Sequence, residues 1–185
     1  MAFLSLAEII NLIVITFVLG YIFSGFLPRQ RNVLEARGWF DWEDLKFAAI
    51  VAAPAVILHE LGHKFVAIAF GLAATFYVFW LGLGLGVILK LVGSPFLFLA
   101  PAYVAIPPGA TALQSFLIAF AGPGMNLLLW GLSALMLKYR THASHKEMLG
   151  WAVSKKLNLF LFWFNLIPLP PLDGYAVLNG LLALF

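Results

Sequence analysis

The chain has 185 residues, of which 63% are hydrophobic and only 10% charged, and its mean hydropathy is +1.00. Soluble domains average roughly 45–50% apolar and about 25% charged residues, so a water-soluble globule is excluded, disorder is excluded with it, and the solvent is lipid. The absence of cysteine excludes disulfides, iron–sulfur clusters, c-type haem attachment and thiolate zinc sites, and a net charge of +3 from scattered basic residues makes no nucleic-acid surface.

The first apolar run is Ala2–Leu27, interrupted by Glu8 near its start. It is long enough to cross a hydrocarbon core of ~30 Å. No Lys or Arg precedes it and no small-residue cleavage site comes after it, so it reads as a span and not as a signal peptide. Pro28–Leu45 is polar and carries Trp39 and Trp42, which suit a membrane interface. The second run, Lys46–Phe70, is stopped by Gly71 and holds His59, Glu60 and His63 in its middle. Leu72–Pro108 is different. Thr75–Leu85 is rich in aromatic and β-branched residues and glycine, and Pro95, Pro101, Pro107 and Pro108 interrupt the rest of the stretch. That pattern predicts strands or a re-entrant hairpin, held against protein or a wet cavity.

Thr111–Leu137 is a further span, Lys138–Lys156 is polar, and Leu157–Phe185 is broken by Pro168, Pro170 and Pro171 ahead of Asp173–Gly174. The expected fold is an all-α polytopic membrane protein with about four transmembrane helices and a re-entrant, membrane-associated β-hairpin region. Residues 1–45 are expected to form an N-terminal transmembrane helix and polar loop, and residues 46–185 a membrane core with the hairpin region at 72–108. If 72–108 dips in and returns, the basic stretches 28–45 and 138–157 share one face, which the positive-inside rule makes cytoplasmic.

His59-Glu60-Leu61-Gly62-His63 is an HExxH sequence. On a helix, positions i and i+4 lie one above the other, so two imidazoles can bind one zinc ion while the glutamate reaches its water. Ionisable groups this deep in an apolar helix are costly and read as functional. The bland alternative is a buried polar cluster bridging helices. Catalytic zinc needs a third protein ligand and an open position. Asp173 lies ~17 residues into the last apolar run, near mid-bilayer, and is the candidate. Its alternative role is an N-cap for the terminal helix, with Gly174 in the first turn. Asn126 comes after Gly122-Pro123, where small residues allow close helix contact, and reads as an interhelical hydrogen bond or a support behind the metal ligands. Gly82, Gly84 and Gly86 suit either close backbone approach or tight packing, and no βαβ unit surrounds them to make a nucleotide site. His142 and His145, in a charged loop, read as solvated.

Three motifs in this order, His59-Glu60-x-x-His63, Gly122-Pro123-Gly124-Met125-Asn126 and Asn165 through Gly174 (NLIPLPPLDG), resemble the signatures of the site-2 protease family of M50-type zinc intramembrane metalloproteases. The resemblance covers about residues 46–185. It implies His59, His63 and Asp173 as ligands of one zinc per chain, Glu60 as catalytic base, and Asn165 as a residue that holds substrate or stabilises the tetrahedral intermediate. A neutral amide suits an oxyanion; the alternative role of Asn165 is to satisfy the backbone near Pro168. It also implies that 72–108 presents the substrate as an extended strand. The sequence reads as a minimal form without PDZ or CBS domain, ending twelve residues after Asp173. In several family members the hairpin is cytoplasmic, whereas the charge count places it on the opposite face.

The expected activity is hydrolysis of peptide bonds in or near transmembrane segments, as in regulated intramembrane proteolysis. The expected partners are a transmembrane or membrane-anchored protein substrate and the lipid bilayer, with no nucleic acid and no nucleotide. The expected location is integral and multi-pass, the cell membrane if the source is prokaryotic. The alternatives are a metal transporter or channel using the same residues as a transit site, which has no need of a general base, and an inactive substrate-binding relative.

Overall fold

The computed structural model describes residues 3–24, 41–94, 102–105, 109–140 and 142–185. Most of the polar stretch with Trp39, and Pro95, Pro101, Pro107 and Pro108, lie outside these residues. In chain order the elements are α1 (Leu6–Phe23), α2 (Trp42–Ala69), β1 (Thr75–Val78), α3 (Trp80–Leu91), β2 (Ala102–Ala105), α4 (Ala112–Tyr139), α5 (His145–Asn165) and α6 (Asp173–Leu182).

Helix starts obey local chemistry. Ser5 with Glu8, Thr111 with Gln114 and Ser144 with Glu147 form reciprocal capping boxes at α1, α4 and α5. Each box satisfies two of the amide groups a helix leaves open at its start. At the end of α2, Gly71 takes φ +75°, and the Leu72 N–H reaches back to the Ala67 carbonyl at 3.0 Å. The stop read at Gly71 therefore has its physical cause in a left-handed turn that glycine enters without a Cβ clash.

α2 is the central helix. It packs against α1, α4 and α5, and α4 in turn carries α5 and α6. Ile15, Leu19 and Ile22 of α1 meet Ala48, Ala52 and Val56 of α2 in the apolar core. Lys146 at the start of α5 sits 3.6 Å from Glu43 at the start of α2, so these two helices begin at the same end of the bundle. The small sheet is antiparallel, pairing Thr75 with Ala105 and Val78 with Ala102.

Among the described residues three helices, α1, α2 and α4, are long and apolar enough to cross a membrane. The expected count of four takes Leu157–Phe185 as a single broken span. The structure divides that run between the end of α5 and the short α6. The polar stretch 138–156 is also mostly helical from His145 onward, not loop.

The larger correction concerns 75–91. The sequence pattern predicts strands through Leu85, but β1 ends at Val78 and Trp80–Leu91 is helical, so β1 and β2 are partners separated by a helix rather than by a tight hairpin turn. The alternating Leu-Gly pattern imitates a strand period. A helix wins because it bonds its own backbone where an unpaired strand would leave amides open to lipid. Gly82, Leu83 and Gly86 form its buried face, whereas Gly84 faces open space. Of the three glycines, two therefore serve packing.

Glu8, read as a mere interruption of the first run, is buried at 5% exposure and ties three elements together. Its carboxylate accepts from the Lys64 ammonium of α2, from the Phe76 N–H of β1 at 2.8 Å and from the Ser5 N–H at 2.8 Å. Removing one member of a buried pair strands the other, at about 3–5 kcal/mol. Glu8→Ala is expected to lose stability of that order in detergent unfolding, and Glu8→Leu combined with Lys64→Met to recover part of it.

Candidate metal centre

α2 carries His59 and His63 on the face turned to α4, and the chain delivers Asp173 to them from far along the sequence. α5 ends at Asn165, the chain turns through 166–172, and helix resumes at Asp173. Pro168, Pro170 and Pro171 have no N–H to continue α5, which forces that turn. Leu172, with no side-chain cap, is the N-cap of α6. The capping role considered for Asp173 is thus corrected: it is the first helical residue, and its carboxylate faces the imidazoles.

The three side chains converge. His59 Nε2 lies 3.2 Å from His63 Nε2 and 3.0 Å from Asp173 Oδ2, and His63 Nε2 lies 3.3 Å from Asp173 Oδ1. Both rings are buried, while the Asp173 side chain keeps 23% of its surface. The outer ring nitrogens decide the proton positions. His63 Nδ1 lies 2.7 Å from the Ile118 carbonyl, which can only accept. His59 Nδ1 lies 2.7 Å from Asn126 Oδ1, and the Asn126 amide nitrogen donates to the Ala55 carbonyl, which fixes which way the amide faces. Each neutral ring therefore carries its hydrogen on Nδ1 and a lone pair on Nε2. With both rings neutral, two nitrogen lone pairs and two carboxylate oxygens point at one another, and Asp173 Oδ2 is buried without a hydrogen-bond donor.

A cation at the centre resolves that arrangement. Tetrahedral zinc with ligands at about 2.0–2.2 Å has ligand–ligand edges of roughly 3.3–3.6 Å. The three measured edges, 3.0–3.3 Å, are close to that, and the set of two imidazoles and one carboxylate leaves a fourth position open, as a catalytic zinc site does. The donor set fits zinc.

The backbone around the site is equally constrained. A Cβ on Gly62 would lie 2.8 Å from the Ala121 carbonyl oxygen, and one on Gly122 would collide with both imidazole rings. A Cβ on Gly174 would collide with the Leu166 carbonyl. The close contact expected from Gly122-Pro123 is thus contact with the ligands themselves. Gly122→Ala is expected to displace the rings and cut zinc content to a small fraction of wild type, measured by metal analysis of the purified chain.

Comparison with known proteins points to the same metal. Over 134 residues, 70% of the chain and 68% of the relative, the chain is 37% identical to a Methanocaldococcus jannaschii protein named "Putative zinc metalloprotease MJ0611". The chain belongs to this zinc metalloprotease family. It is also 30% identical over 165 residues, 89% of its length, to a zinc metalloprotease relative of the same description from Synechocystis, of which it spans 38%. With the relative Rip2 of Mycobacterium tuberculosis it shares 31% over 134 residues, 66% of the chain and 52% of the relative. No family model matches the chain, and no solved structure does.

Within this metalloprotease site Glu60 is buried at 8% exposure, and among the described residues it engages no hydrogen bond or ion pair. Asn126 is fully buried and bonds His59, Ala55 and Asn158. Asn165 is the last residue of α5, with its amide nitrogen bonded to the Leu161 carbonyl of its own helix at 3.0 Å. His142 and His145 are exposed in the turn between α4 and α5 and at its edge. Sequence reasoning passed over Lys64 and Asn158, both buried. The signal for Lys64 was a second charge inside the HExxH helix, matched by Glu8 in another apolar run. For Asn158 it was an amide one turn after Ser154.

Proposed function

We propose that the chain is an intramembrane zinc endopeptidase of the site-2 protease type, acting on peptide bonds in or near the transmembrane segments of membrane-anchored proteins. The observation that carries this reading is the meeting of His59 Nε2, His63 Nε2 and the Asp173 carboxylate, beside the free carboxylate of Glu60. His59, His63 and Asp173 would hold the metal. Bound there, zinc supplies acidification of water and polarisation of a carbonyl. Glu60 takes the proton of the attacking water on its carboxylate and returns it to the leaving amine. Asn165, exchanging the Leu161 carbonyl for substrate, offers a neutral donor to the developing oxyanion.

A transmembrane helix bonds its own backbone and must unwind before it can be cut. The β1–β2 sheet suits strand addition to the unwound segment. The Phe76 N–H on β1 is already committed to Glu8, which favours β2 as the edge.

The test is the purified chain in liposomes with a single-span substrate. Expected are one zinc per chain, cleavage stopped by a chelator and cleavage restored by added zinc. Zinc flux across the bilayer without any cleavage would overturn the reading in favour of a transit site.

A further inference from the structure

Behind His59 a line of buried polar side chains runs away from the metal centre, and the proposed hydrolysis uses none of it beyond Asn126. Asn126, Asn158 and Ser133 are 0%, 1% and 1% exposed. Such groups are costly within apolar helices unless every one is paired.

Here every proton has a place. His59 Nδ1–H goes to Asn126 Oδ1 at 2.7 Å. The Asn126 amide nitrogen donates to the Ala55 carbonyl at 2.8 Å and to Asn158 Oδ1 at 2.9 Å. The Asn158 amide nitrogen donates to the Ser154 carbonyl at 2.9 Å and to Ser154 Oγ at 3.2 Å. The Ser133 and Ser154 hydroxyls are 3.0 Å apart, and Ser133 ends the line on the Leu129 carbonyl at 2.7 Å.

The line has a direction. Its fixed points are backbone carbonyls, which accept and never donate. If Asn126 turned over, its oxygen would face the Ala55 carbonyl and Asn158 Oδ1. If Asn158 turned as well, its oxygen would face the Ser154 carbonyl. The carbonyl of Ser154 on α5 is thus read through two amides to a ring nitrogen on α2. We propose that Asn158 is a positioning residue that, anchored on Ser154, acts with the Ala55 carbonyl to hold the Asn126 amide in the orientation that keeps the His59 hydrogen on Nδ1 and its lone pair on Nε2. The link to metal affinity rests on the zinc endopeptidase reading. The link to the tautomer does not.

The test compares three variants with wild type. Asn158→Leu removes the line and leaves an apolar side chain of similar size. Asn158→Asp, in its protonated form, keeps an acceptor toward Asn126 and an O–H donor toward Ser154. Ser133→Ala lies beyond the anchor. Zinc affinity is read by competition with a chelator, and the His59 tautomer by ¹⁵N chemical shifts of the metal-free protein in detergent. Loss of an orienting hydrogen bond behind a ligand costs about 10–100-fold in metal affinity. Asn158→Leu is expected to lose zinc by that factor and to show mixed tautomers, with Asn158→Asp and Ser133→Ala within a few-fold of wild type. If Asn158 serves packing alone, the ranking reverses: Asn158→Leu keeps zinc and a pure Nδ1–H tautomer, and the proposal falls. A wild type that binds no zinc defeats the enzymatic reading alone, and the tautomer measurement still decides this one.

Discussion

Glu60→Gln is expected to cut cleavage of a membrane-anchored substrate by about 10²–10⁴-fold, the range that a general base contributes, with zinc still bound at wild-type level. The two readouts separate because Glu60 is not part of the cluster formed by His59, His63 and Asp173. Glutamine has nearly the same shape and fills the same buried position, but its amide cannot accept the proton of the attacking water. Zinc content from metal analysis and a single-turnover cleavage assay check both halves. Zinc lost together with activity would make Glu60 a ligand. Activity retained would place the base elsewhere.

Asp173→Ala is expected to lower zinc affinity by more than the roughly 100-fold caused by loss of a hydrogen bond behind a ligand, because a ligand itself is removed. Its carboxylate faces both imidazoles at 3.0–3.3 Å, and no other acid among the described residues joins that cluster. Cleavage should disappear with the metal. Asp173→Asn, which keeps the shape but loses the charge, should fall between wild type and alanine. Chelator competition on the three purified chains gives the order. Wild-type zinc in the alanine variant would mean that the two histidines hold the ion with some other partner.

How much of the fold and the site is readable from the sequence depends on how local each signal is. The His59–His63 pair comes from helix geometry alone, and the proline run that turns the chain before Asp173 is a matter of missing amides. Both are written within ten residues. α3 is not readable in that way, because Leu-Gly alternation satisfies a period of two as well as a helix with glycines at i and i+4. What decides between them is the lipid, which lies outside any window of sequence. The start of α5 carries a local signature in Ser144 and Glu147, but its charged first half reads as loop by composition. Glu8, Lys64 and Asn158 belong to a third class. The partner of each lies on another helix, so its meaning exists only once the helices are packed.

The two ends of α1 have a consequence for how it sits among its neighbours. Near one end Glu8 meets Lys64, and near the other Lys90 of α3 reaches the Tyr21 carbonyl and, at 2.6 Å, Ser24 Oγ. Between these contacts lie apolar residues such as Ile15 and Leu19, and greasy surfaces in lipid slide past one another at little cost. A slip of one turn, about 5.4 Å, would leave both lysines without their oxygens. Two charged catches thus gauge the vertical position of this helix, and because Glu8 also grips the backbone of Phe76, the height of the sheet beside α2 is measured off the same scale.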